Sequence, residues 1–151
     1  MRRITLFIVT IAMLMSCTGG AYKSTSDGVI VNVQNREEHG PARVRLQIMS
    51  EGIVRVSQTP DRKFHDRNSL IILPDAQRET IFEVVDSEAS VGIKTSELYV
   101  TVNKTDGVVT FMDAKGNVIS KESEPTSFAP VSVTDTKGTT TGYTTINRFN
   151  S

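Results

Sequence analysis

The side chains able to do acid–base, metal or nucleophilic chemistry are few enough in this chain to weigh one by one. It has two histidines and a single cysteine. "PDRKFHDRN" (residues 60–68) gathers Asp61, His65 and Asp66, a set that could be drawn as a metal site or a His–carboxylate dyad. Its spacing matches no zinc pattern of paired Cys or His ligands, and the stretch reads as a polar loop between strands. "NREEHGP" (residues 35–41) sets His39 beside Glu37 and Glu38 and reads as a turn, with Gly40 and Pro41 as punctuation. Sugar chemistry would need two carboxylates facing each other about 5–10 Å apart across a cleft. Seventeen Asp and Glu residues are present, and no spacing rule selects two of them. Phosphate-binding Gly-rich loops and Ser or Cys nucleophile signatures are absent. These residues predict no catalytic group, no metal and no cofactor. For sugar contact the best candidates are Tyr99, on the outward face of its expected strand, and then Tyr143; a surface Tyr supporting cross-strand pairs fits the same pattern. With no Trp and three Tyr, stacking platforms are scarce, which disfavours a dedicated glycan binder.

The elements that must position these residues are short strands. In "ARVRLQIM" (residues 42–49) Val44, Leu46 and Ile48 alternate with Arg43, Arg45 and Gln47, the period of a strand with one face in a core. "LYVTVNK" (98–104) repeats this with Leu98, Val100 and Val102 inward, and "VVTFMDA" (108–114) follows across the Asp-Gly of "TDG" (105–107). "KGN" then leads to "VIS", completing a meander. Further strands are expected at 29–33, 53–58, 70–73, 81–85, 91–95, 131–134 and 143–149. No window shows helical period over the length of a typical helix. Antiparallel sheets with one wet face must bury the other, so the fold expected is an all-β antiparallel sandwich. Pro60, Pro74, Pro125 and Pro130 fall at strand borders, where a missing N–H costs no ladder bond.

Residues 1–17 read as a sorting device. Arg2 and Arg3 precede the apolar run "ITLFIVTIAMLM" (4–15), the length of a signal-peptide core and short of the roughly 20 residues that span a bilayer. The paired arginines are ordinary for an n-region and need no twin-arginine route. "LMSC" (14–17) resembles a bacterial lipobox, which makes Cys17 the expected lipidation site; a free or buried thiol is the alternative. Residues 18–27, rich in Gly, Ser and Thr, read as a flexible tether, and residues 28–151 as the sandwich. The protein is therefore expected to be exported and lipid-anchored to the cell envelope. No acidic run follows Cys17, which points to a periplasm-facing anchor.

Seventeen basic and seventeen acidic side chains cancel. Removing Arg2 and Arg3 with the leader leaves a slight acidic excess. Neither a nucleic-acid footprint nor a polybasic membrane patch is expected, since both need a clustered positive excess, so membrane contact is expected through the lipid anchor alone.

The strands also carry a family resemblance. "DGVIVNV" (27–33), "ARVRLQIMSEGIVRVSQTP" (42–60) and "VGIKTSELYVTVNKTDGVVTFMDAKGNVIS" (91–120) resemble the N-terminal, galactose-mutarotase-like β-sandwich of glycoside hydrolase family 31, which includes bacterial lipoprotein α-xylosidases and α-glucosidases. In that family a (β/α)8 barrel supplies two aspartates for retaining hydrolysis. A barrel takes about 250 residues, more than this whole 151-residue chain. The resemblance thus implies a scaffold domain of an α-xylosidase-like enzyme acting on xyloglucan-type substrates, cut short at its C-terminal end. It would be inactive alone, with the barrel as its partner and oligosaccharide as a second. A stand-alone envelope glycan-binding or Ig-like module is the alternative.

Overall fold

The computed structural model describes residues 20–64 and 80–150. Cys17, His65, Asp66 and the strand expected at 70–73 lie outside them. Every regular element among the described residues is a strand. The first sheet runs in the order β1 (Tyr22–Thr25), β2 (Gly28–Asn32), β3 (Arg43–Ser50) and β4 (Ile53–Thr59). The second holds β5 (Glu83–Asp86), β6 (Ser90–Lys94), β7 (Leu98–Asn103), β8 (Val109–Asp113), β9 (Val118–Glu122) and β12 (Phe149–Asn150), in the order β12-β9-β8-β7-β6-β5. All pairings are antiparallel. A separate hairpin is formed by β10 (Ser127–Asp135) and β11 (Gly138–Ile146).

The alternation seen in the sequence becomes the core. Val29, Val31, Val44, Leu46 and Ile48 from the first sheet meet Val91, Ile93, Val100, Val102 and Val109 from the second, and all ten are buried. Val54, Val56, Phe82, Val84 and Phe111 pack around them. This is the expected all-β sandwich. Polar stitches join the sheets outside that core. Gln34 and Asn35 donate backbone N–H groups to the carbonyls of Lys104 and Thr105, both at 2.8 Å. The Thr95 hydroxyl donates to the Glu51 carbonyl at 2.6 Å. Such fixed donors and acceptors help define one alignment of the two sheets.

Four expectations need correction. Pro130, expected at a strand border, lies inside β10 opposite Tyr143. The segment expected to be a tether contains β1, which pairs Tyr22–Thr25 with β2 and is invisible to periodicity because only Tyr22 packs on the core. The strand expected at 81–85 starts later, at Glu83, and Ile81 is 94% exposed. The closing strand expected at 143–149 is two elements: β11 ends at Ile146, and Phe149–Asn150 crosses to pair with β9.

The β1–β2 turn carries a pH-dependent element. Asp27 accepts hydrogen bonds from Thr25 Oγ1 at 2.9 Å and Gln47 Nε2 at 2.8 Å. Partial burial pushes its pKa up, but these bonds, with a backbone bond and the Arg45 charge, outweigh it and hold the carboxyl below its ordinary value. A depressed folded-state pKa means that this stabilisation is present above the unfolded pKa and is lost as pH falls through the folded one. Urea midpoints of the wild type and Asp27→Asn should therefore differ at about pH 6 and converge toward about pH 2.5. A gap that stayed constant with pH would contradict this.

Candidate functional site

A concavity lies at the edge where β12 joins the second sheet. It encloses about 250 Å³ and is lined by Gln58, Phe111, Glu122, Phe128, Asn147 and Phe149, among others. At its base sits Glu122, a charged residue only 1% exposed. Its position follows from local structure: β9 ends here, and the Glu122 side chain turns in to accept the Val109 backbone N–H through Oε2 at 2.7 Å. Oε1 accepts from Gln58 Nε2 of the opposite sheet at 2.9 Å and from Thr126 Oγ1 at 3.1 Å. One carboxylate thus ties β8, β4 and the β9–β10 connection together. Gln58 Oε1 is buried and has no hydrogen-bond partner.

Above this tie the rim is aromatic. Phe149 stands 6.4 Å from Phe111, ring centre to ring centre, in a tilted pair. Phe128 meets Tyr143 edge to face at 6.2 Å. Tyr143 and Phe149 are each 50% exposed; Val133 and Ile146, on the opposite face of the hairpin from Tyr143, are exposed as well. All nine residues of β11 are exposed, so the hairpin projects from the sandwich.

Chemically, the cleft is a socket rather than a reaction centre. Retaining glycoside hydrolysis needs two carboxyl groups about 5–5.5 Å apart, and among the described residues Glu122 is the only Asp or Glu lining this cleft. Its oxygens are occupied by three protein donors. Among the described residues no group of His, Cys, Asp and Glu could hold a metal ion.

The structure does not bring the sequence candidates together. Tyr99 lies on β7, half-buried, with its ring over Gly92: a Cβ at position 92 would meet Tyr99 Cε2 at 2.9 Å and the Val100 carbonyl at 2.6 Å. Tyr143 lies on β11, in another sheet. His39 is exposed in its turn, where its carbonyl accepts the Phe128 N–H at 2.7 Å, and Asp61 donates its N–H to Thr59 Oγ1. Glu122 was one of seventeen indistinguishable carboxylates in the sequence. Its strand, Val118–Glu122, does not alternate, so no local signal marked it.

These features define an antiparallel β-sandwich module with a polar-tied interior and an open aromatic flank. No family model matches the sequence. Among solved structures the chain is similar to a glycoside hydrolase family 31 α-xylosidase from Xanthomonas citri, at 30% sequence identity and a TM-score of 0.70. The likeness covers 85% of this chain and 13% of the α-xylosidase chain. The family resemblance read from the strand segments is thus borne out, and the all-β architecture fits an N-terminal β-sandwich domain of that family. This chain spans a small part of the length of the enzyme it matches.

Proposed function

We propose that this chain is the non-catalytic N-terminal domain of a retaining α-glycosidase of family 31, of α-xylosidase type with xyloglucan-like substrates, working beside a catalytic (β/α)8 barrel. The reading includes export, lipidation at Cys17 and a periplasm-facing anchor. Its main support is the 30% identity to an α-xylosidase over 85% of this chain. The site chemistry agrees with it: among the described residues the aromatic cleft holds one satisfied carboxylate and no second one to complete a displacement. The exposed aromatics Tyr143 and Phe149 suit packing against another domain.

The expected result is no turnover of nitrophenyl α-xyloside or α-glucoside by the purified 151-residue chain. Turnover that Glu122→Gln abolishes would overturn the non-catalytic reading. Submicromolar binding of a xyloglucan oligosaccharide to a stable monomer, measured by calorimetry, would instead favour a stand-alone glycan-binding module.

A further inference from the structure

A second concavity, of about 410 Å³, lies at the end of the first sheet where the chain enters the fold. It is lined by Asn32, Val33, Arg36, Ala42, Arg43 and Arg62. Three arginines from three separate segments line it, and among the described residues no Asp or Glu does. Arg43 is half-buried at the start of β3, while Arg36 and Arg62 are exposed on the flanking loops. Among the described residues none of the three forms an ion pair with a carboxylate. Glu37 and Glu38 follow Arg36 in sequence but stay out of the lining.

The pocket wall also holds the incoming chain. Asn32 donates its side-chain amide to the Gly20 carbonyl at 2.9 Å and its backbone N–H to the Ala21 carbonyl at 2.8 Å. Cys17 is three residues before Gly20, and three residues reach at most about 11 Å even when fully extended. An anchor at Cys17 would therefore keep this pocket within headgroup distance of the membrane.

We propose that the three-arginine pocket binds the phosphate of an anionic lipid headgroup and so fixes which end of the sandwich faces the membrane. This rests on the lipidation reading for Cys17. Guanidinium groups suit the task because their planar fork donates in pairs to phosphate oxygens and is weakly hydrated. Acyl chains alone hold the domain near the bilayer without orienting it; a phosphate held in the pocket adds the orientation.

The test uses the full chain carrying Cys17→Ala, with vesicles of phosphatidylcholine alone or mixed with phosphatidylglycerol. The expected result is a gain in partitioning on adding phosphatidylglycerol that falls about tenfold in Arg36→Gln/Arg43→Gln/Arg62→Gln and disappears at high salt. Arg55→Gln/Lys115→Gln/Lys137→Gln removes the same charge from exposed positions outside the pocket and should lose much less. Should the half-buried Arg43 change disturb folding, Arg36→Gln/Arg62→Gln gives the same comparison with two exposed residues. Equal losses in the pocket and control variants would reduce the effect to diffuse charge and overturn the proposal. Saturable binding of inorganic phosphate without vesicle preference would assign the pocket to a soluble anion and overturn the lipid source. Palmitate incorporation at Cys17 in cells reads the anchor separately, so pocket and anchor can fail independently.

Discussion

Glu122→Ala should lower the folding stability by about 3–5 kcal/mol, since each buried donor left unsatisfied costs about 1–3 kcal/mol. The loss has two sources. Truncation strands the Val109 N–H, the Gln58 amide and the Thr126 hydroxyl, three donors the carboxylate now satisfies. It also enlarges a cleft that already borders the core at Val109. Glu122→Gln keeps the shape and one acceptor oxygen but offers an NH2 group where an acceptor is needed, and should cost about 1–3 kcal/mol. Because Gln58 sits on the opposite sheet, Glu122→Ala and Gln58→Ala should be strongly non-additive in a double-mutant cycle followed by urea unfolding. Additive losses, or a Glu122→Ala midpoint indistinguishable from wild type, would show that the carboxylate does not join the sheets.

Gly28→Ala should be as damaging by a different route, at about 3 kcal/mol or more. Gly28 opens β2 with a φ of 155°, in the region that side chains rarely adopt. A Cβ there would lie 2.0 Å from the Leu46 carbonyl oxygen, a backbone atom in the neighbouring strand. The clash cannot be relieved by a rotamer change, so β2 must move away from β3, and Val29 and Val31 move with it. Gly142 makes the control: a Cβ there meets nothing within 4 Å, and Gly142→Ala should change stability by less than about 0.5 kcal/mol. Thermal unfolding followed by circular dichroism separates the two, and equal midpoints would contradict the steric account.

Strand-level architecture was legible in the sequence because burial writes itself as alternation. Val44, Leu46 and Ile48, and again Val100 and Val102, could be assigned to a core on periodicity alone, and they are buried. What stayed hidden lacked a wet and a dry face. β1 is an edge strand with one packing residue, and β11 is exposed along its whole length, so neither carries a period-2 signal. The two polar centres were hidden for another reason. Glu122 becomes distinct only when β4, β8 and β9 bring Gln58 and Val109 to it. The charge balance of the chain predicted no basic patch, yet Arg36, Arg43 and Arg62, from two loops and the start of β3, share one pocket wall. Contacts of that kind belong to topology and have no local spacing rule.

The projecting hairpin has a consequence for how such a domain can diverge. Nine residue pairs join β10 to β11, and of the hairpin's apolar side chains only Phe128 is buried. Lengthening its tip by a pair or two changes the loop-closure entropy little and leaves the valine core untouched. The arm can drift in length and side chains while the sandwich stays fixed, so a lineage can reshape what this domain touches without relearning how it folds.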